Sequence, residues 1–358
     1  MAAWPFEPPL VPMEAKVRTD LPPEGEWAYE PKWDGFRCLA WGASDPAAVR
    51  LDSRKQRPLI RYFPELVPAL QAVPDGVVLD GEVVVEVDGR LDFDALQGRI
   101  HPADSRVQML SQATRARLIA FDLLAVEGQD LRDRPLHERR QLLEAVMDHL
   151  RDVDGWDLTP QTTDRATAGR WFTEYESAGC DGIIGKRLDS TYVEGKREMV
   201  KVKHRRDADV VIGGYREHKD GGKVGSLLLG LYSDAGQLHF IGHCSGFGDA
   251  DRVALLERLQ RHLADDAFGV AGEGEGGDGD REPVRRPGGV SRWTGDKDLS
   301  WVPVRPELVC TISYDQLTGG RFRHATRFER WRPDKDPEDC TMAQLERPEG
   351  PGLPEILA

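Results

Sequence analysis

The sequence predicts an α+β protein of two domains, 1–204 and 205–358, the second a small β-barrel of the OB type. Three observations lead there. Strand-like and helix-like segments are mixed up to about residue 204. From about 207 the pattern becomes consecutive strands with Gly-rich turns and one interposed helix, which fits a small barrel. A length of 358 residues suits two ordinary domains with sizeable cores.

The elements follow in order. Residues 1–25 are Pro-rich and read as an extended leader. Residues 26–41 carry an apolar and aromatic stretch around Lys32, which predicts strands and a turn. Residues 76–87, GVVLDGEVVVEV, are β-branched and predict a strand pair. Residues 117–125, RLIAFDLLA, read as a buried strand. Behind Pro135, residues Leu136, Leu142, Leu143, Val146 and Leu150 recur at helical spacing, so 135–150 is a helix. A second helix is expected over 164–178, and strands over 181–187 and 198–204. In the second domain 208–216, 223–232 and 237–243 read as strands, 250–263 as an amphipathic helix, and 301–315 and 321–331 as strands. Residues 269–289, rich in Gly, Asp and Glu, hold too little apolar content to fold alone and are expected to be a mobile loop or linker.

Composition narrows the class. Charged residues make up 31% and hydrophobic residues 39%, as in soluble globular proteins. No apolar run approaches the roughly 20 residues of a membrane helix, and the N-terminus lacks the basic start and apolar stretch of a signal peptide. A cytoplasmic protein without membrane contact is expected. The five cysteines are scattered without a CxxC pair, so they read as reduced and structural. The net charge of −14 opposes nucleic-acid binding as an average. It is uneven, however. Residues 196–206 and 321–336 are predominantly basic, whereas 265–282 is strongly acidic, so a basic track on an acidic body remains compatible with nucleic acid.

The chemistry-bearing motif is Lys32-Trp33-Asp34-Gly35, preceded by Tyr29-Glu30-Pro31. A lysine amine is a nucleophile only when unprotonated, and neighbouring cations with partial burial lower its pKa. Candidate cations are Arg37, Lys186, Lys201 and Lys203. Alone, Lys-x-Asp-Gly marks a turn. Lys201 and Lys203, two residues apart, share one strand face, and Phe121 in an apolar strand is an ordinary core aromatic.

Taken together, these motifs and their order resemble the covalent nucleotidyltransferase superfamily, which contains ATP-dependent DNA ligases, RNA ligases and mRNA capping enzymes. The resemblance covers nearly the whole chain. It implies an ATP-grasp-like adenylation domain with antiparallel sheets, followed by an OB-fold domain. It makes Lys32 the residue that becomes adenylated, with Glu30 against the adenine and Arg37 near the nucleotide. Arg54, in Ser53-Arg54, would contact the nucleotide or DNA phosphate. Glu82, in Asp80-Gly81-Glu82, would contact the ribose or support the metal, and Phe121 would stack on the base. Asp181 to Lys186, DGIIGK, resembles the fourth motif; the usual glutamate is here Asp181, a shorter carboxylate for the metal. Lys201 and Lys203 would meet the α-phosphate, and Arg332 and Lys335, in Arg332-Pro333-Asp334-Lys335, would orient pyrophosphate.

The runs WAYEPKWDGFR, GIIGKRLDSTY, KVKHR and RWRPDKDP are most similar to small bacterial ATP-dependent DNA ligases, of the actinobacterial ligase C type and the ligase domain of ligase D. Only 31 residues precede Lys32, so no helical DNA-binding domain is expected before it. The resemblance implies ATP as AMP donor, Mg²⁺ or Mn²⁺ held by Glu82 and Asp181, and nicked duplex DNA as partner. It further implies a monomer acting at the nucleoid in DNA repair, with repair proteins as partners and roles extending to recombination and replication. An RNA ligase, a GTP-using capping enzyme, a non-catalytic nucleic-acid-binding relative and an acidic interaction protein remain open as alternatives.

Overall fold

The computed structural model describes residues 4–268, 284–288, 299–346 and 348–358. The chain divides into two compact units, Met1–His204 with Arg347–Ala358, and Arg205–Glu346. Residues 347–358, expected with the second domain, therefore group with the first. The cause is apolar burial: Leu353 and Ile356 are inside, in a cluster with residues of the first unit. Apart from 284–288, the stretch 269–289 expected to be a mobile loop or linker lies outside the described residues.

The first unit has two sheets. One runs Arg50–Ser53, Phe36–Trp41, Val78–Val87, Ala116–Val126 and Gln129–Asp130, all antiparallel, with Trp156–Leu158 added parallel to Ala116–Val126. The other runs Glu14–Arg18, Arg197–Lys203, Gly182–Arg187 and Trp27–Pro31. The run at 76–87 is one ten-residue central strand, not a strand pair. Its two faces explain the near-continuous apolar sequence. Leu79, Val83 and Val85 enter the main core with Leu70, Leu118 and Leu143. Val78 joins a second cluster with Leu39, Trp41, Tyr192 and Met199. By strand alternation Asp80 and Glu82 share the face of Val78, away from the main core.

Strands Trp27–Pro31 and Phe36–Trp41 belong to different sheets. The Lys32–Gly35 link is thus a crossing between sheets, where the sequence predicts a turn. The leader is extended as expected, but it is docked: Leu10 and Met13 are buried, and Glu14–Arg18 pairs in parallel with Arg197–Lys203. The helices form at Leu136–His149, with Pro135 as N-cap, and at Arg165–Glu174, capped by Asp164 accepting from Ala166 and Thr167 N–H groups. Arg139 on the first of these is fully buried, where it meets both Asp122 oxygens at 2.8 and 2.9 Å.

The second unit is a curled, open antiparallel sheet in the order Leu238–Cys244, Val224–Tyr232, Arg206–Glu217, Val309–Tyr314, Arg327–Trp331. Val302–Pro303 also pairs with Arg206–Glu217. Register shifts at Ile212/Gly214 and Arg216/Glu217 bend the long strand. The helix Asp249–Leu259 buries Leu255 and Leu259 in this unit's core. All five cysteines are buried and none is in a disulfide. Among the described residues no helix is long and apolar enough to cross a membrane.

Gly182 has φ +138°, and a Cβ there would sit 2.0 Å from the Val202 carbonyl oxygen. Gly182→Ala is therefore expected to cost at least about 3 kcal/mol, read as a lowered denaturant midpoint. A midpoint equal to that of the parent would refute this account of the strand.

Candidate functional site

The crossing from Pro31 to Phe36 sets the position of Lys32. Its N–H donates to Gly182 O at 2.8 Å, and its carbonyl accepts from Asp181 N–H at 2.8 Å. This reciprocal pair fixes the two residues side by side. The side chains follow: Lys32 Nζ lies 2.7 Å from Asp181 Oδ2, with Lys203 Nζ 3.1 Å from the same oxygen. Asp181 is almost fully buried, whereas a fifth of the Lys32 side chain is exposed.

The pKa of Lys32 departs from the sequence expectation. Burial pushes it down, but Asp181, Glu82 and Asp34 outweigh burial and the net shift is upward. The neighbour expected to act on Lys32 is itself the one depressed: burial and the cations Lys32, Lys203 and Arg54 push Lys201 down. The difference arises because Asp181 sits against Lys32 and Lys203. Burial also raises the Asp181 carboxyl, but the two lysines prevail and hold it below its usual range.

Lys32 opens into a cavity of about 1160 Å³, lined among others by Glu30, Arg37, Arg54, Glu82, Phe121, Lys186 and Lys201. On one wall Lys186 and Glu30, both buried, form an ion pair at 2.8 Å. Lys186 also donates to Phe121 O at 2.7 Å. The Phe121 ring carries two cations, Arg37 at 4.9 Å and Lys186 at 4.8 Å from its centroid. Arg54 reaches Glu14 at 2.7 Å at the cavity edge, and Arg197 approaches the same carboxylate. Burial raises Glu82 to about 8 against the pull of Lys32 and Arg37. Among the described residues no group of three or more His, Cys, Asp or Glu side chains could hold a metal ion.

Of the sequence-derived residues, Glu30, Lys32, Arg37, Arg54, Glu82, Phe121, Asp181, Lys186, Lys201 and Lys203 thus lie in the first unit around or just behind this cavity. Arg332 and Lys335 belong to the second unit, where both contact Asp209 Oδ2, at 2.7 and 3.3 Å. Asp209 itself carries no motif signal.

Sequence reasoning missed the supporting residues. Asp80 grips Arg37 through two bonds of 2.9 and 2.7 Å. Tyr192 donates to Asp80 Oδ2 at 2.6 Å and accepts from Met13 N–H at 3.0 Å. Gln161 donates to Glu30 at 2.7 Å, and Trp33 Nε1 to Thr159 Oγ1 at 3.0 Å. Asp80, inside the Asp-Gly-Glu motif, had a signal that marked it; Trp33 and Tyr192 lie within the Lys-x-Asp-Gly and GIIGKRLDSTY runs, which give no sign of these partners.

Chemically, the site offers an amine in a cleft, an aromatic platform flanked by cations, and several positive charges near one wall. That suits a purine nucleotide whose phosphates approach Lys32.

Comparisons with known proteins follow this geometry. Residues 11–203 match the family described as ATP dependent DNA ligase domain, and residues 220–335 the family described as ATP dependent DNA ligase C terminal region. The chain is 51% identical to DNA ligase C2 of Mycolicibacterium smegmatis, covering 96% of each chain. It is 49% identical to DNA ligase C of Mycobacterium tuberculosis, covering 99% of this chain and 98% of that one. A solved structure of a Lig E DNA ligase shares the fold at a TM-score of 0.52 and 18% identity, over 89% of this chain and 98% of that one.

Glu82 offers a pH test. Its folded-state pKa, about 8, exceeds the ordinary 4.5, so the folded protein retains a proton that the unfolded chain releases. That stabilisation is complete below about 4.5 and is lost as pH rises through about 8. Glu82→Gln, neutral throughout, should show a shallower fall in denaturant midpoint between those pH values. An unchanged slope would contradict the shift.

Proposed function

The chain belongs to the ATP-dependent DNA ligase family, and on that premise we propose that it seals 5′-phosphate/3′-hydroxyl nicks in duplex DNA through a lysyl-AMP intermediate. The single observation that carries this reading is Lys32, held at the mouth of a nucleotide-sized cavity by Asp181 and backed by Lys201 and Lys203.

The steps are three phosphoryl transfers. The Lys32 amine, once it has lost a proton, attacks the α-phosphorus of ATP. A P–N bond forms, a P–O bond breaks and pyrophosphate leaves. The 5′-phosphate at a nick then displaces Lys32 and becomes DNA-adenylate. The 3′-hydroxyl finally attacks that phosphate and expels AMP. Pairing with Asp181 keeps Lys32 an ammonium until nucleotide arrives, which protects the amine from idle chemistry. We read Glu30, Arg37, Phe121 and Lys186 as the nucleoside cradle, and Arg54, Lys201 and Lys203 as phosphate ligands.

For a divalent cation such as Mg²⁺ or Mn²⁺, Glu82 fits as a carboxylate: it lines the cavity, a cation beside it would favour loss of the proton that burial retains, and nucleotide phosphates would supply further oxygens. The Asp181 carboxylate is engaged by two ammonium groups. We therefore assign it first to holding Lys32 and not to the ion. When bound, the cation would neutralise phosphate charge.

We read the first unit as ATP-grasp-like and the second as an OB fold. The latter is supported by the backbone bridge Cys244–Thr326, which links the two edge regions of the curled sheet. Arg332 and Lys335 are the second unit's candidates for orienting pyrophosphate. A cytoplasmic monomer acting at the nucleoid in DNA repair is the setting this chemistry suits.

Incubation with ATP and Mg²⁺ followed by mass spectrometry should find an AMP adduct on Lys32. Lys32→Ala should lose the adduct and ATP-driven sealing while still sealing pre-adenylated nicks; an adduct on the variant would exclude Lys32 as the nucleophile. Labelling by GTP and not ATP would favour the capping-type reading instead. Arg332→Ala with Lys335→Ala should slow adenylation about 100-fold and sealing of pre-adenylated DNA much less. Equal losses in both would remove those residues from the first step.

A further inference from the structure

The chain leaves the first unit at His204 and returns to it at residue 347. The returning segment docks specifically. Leu353 N–H donates to Gly89 O at 2.7 Å, and Ser177 Oγ donates to Pro351 O at 2.8 Å. At Gly350 a Cβ would stand 2.7 Å from Ser177 Oγ and 3.0 Å from Glu174 O, so a side chain there would force Ser177 to shift. Leu353, fully buried, and Ile356, nearly so, enter one apolar cluster with Trp33, Phe121 and Cys180.

The members of that cluster matter. Trp33 follows Lys32 directly, and Cys180 precedes Asp181, its partner. Phe121 lies in the strand Ala116–Val126 at the register shift opposite Asp80 and Gly81, and its carbonyl accepts from Lys186 Nζ. Trp33 lies in the Lys32–Gly35 link, outside any strand. Beside the two Lys32 backbone bonds, the packing of buried Trp33 helps hold this link. Its indole N–H donates to Thr159, and its ring shares one buried apolar cluster with Leu353 and Ile356 of the returning segment.

We propose that residues 348–358 form a clamp that positions the nucleophile, with Leu353 and Ile356 acting through Trp33 and Cys180 on Lys32 and Asp181. This rests on the reading of Lys32 as the adenylated residue. Leu353 and Ile356 are positioning residues, not catalytic ones, since neither lines the cavity. A displacement of about 1 Å at a reacting atom lowers rates by up to about 100-fold, so loss of the clamp should act on the rate of amine attack. ATP affinity, which on the same reading depends on the Glu30–Lys186 pair and on Phe121 tied to it through Lys186, should change little.

The test compares the parent chain, Leu353→Ala with Ile356→Ala, Leu353→Met, and a variant lacking residues 350–358. Covalent AMP labelling is followed in single turnover against ATP concentration, on protein shown to be folded at the assay temperature. The double variant and the deletion should label at least about 10-fold more slowly at saturating ATP. Half-saturation should move by less than about 3-fold. Leu353→Met should keep the parent rate, and a synthetic peptide spanning 348–358 should restore labelling to the deletion variant. A lowered melting temperature with parent rates in the folded protein would overturn the proposal, as would failure of the peptide to restore the deletion variant. If the double variant does not fold, Ile356→Val is read by the same criteria. Absence of labelling in the parent chain would instead overturn the adenylation reading itself.

Discussion

The contact on which the site depends is the pairing of Lys32 with Asp181. It is made twice: the Lys32 carbonyl accepts from Asp181 N–H while Lys32 N–H donates to neighbouring Gly182 O, and the side chains meet as well. The backbone bonds join the end of strand Trp27–Pro31 to the start of strand Gly182–Arg187, next to it in the sheet. The adjoining strand Arg197–Lys203 then brings Lys203 to the same carboxylate. Gly182 permits this, because its conformation and its closeness to Val202 O exclude a side chain. A shorter acid than the usual glutamate suits a site where the backbones already lie in contact.

Charge arrangement explains how an acidic protein keeps a cationic cleft. Its net charge of −14 is an average over the chain. Around the cavity, Arg37, Arg54, Lys186, Lys201 and Lys203 gather, most of them held by a carboxylate or an aromatic face. Buried pairs such as Lys186 with Glu30, and Arg139 with Asp122, contribute little net stability because desolvation offsets their attraction. Their effect is to fix geometry. The Arg37–Asp80–Tyr192 chain does the same, tying a cavity residue to the docked leader through Met13.

Much of the architecture was legible from periodicity. The helix at Leu136–His149 and the buried strand Ala116–Val126 fall where apolar spacing puts them. The errors have separate causes. The Val78–Val87 run, read as a strand pair, is a single strand because both of its faces are buried, which erases alternation. The Lys32 link, read as a turn, crosses between sheets, since two strands separated by four residues carry no sequence signal of which sheet each joins. Leu353 and Ile356 looked like part of the second domain because a helix of five residues shows no packing partner in its sequence.

The sequence by itself determined the cast: the motif residues, their order, and strand faces that put Lys201 beside Lys203. These are local properties, set by residue type and by periods of two and 3.6. Only the tertiary structure decided which charges meet. It set Asp181 against Lys32, so that the pKa of Lys32 rises where neighbouring cations alone would lower it. It also supplied Tyr192, Gln161 and the returning segment as supports. Electrostatic coupling falls off over a few ångströms, and separations of that size between residues 32 and 181 exist only once the sheets have formed.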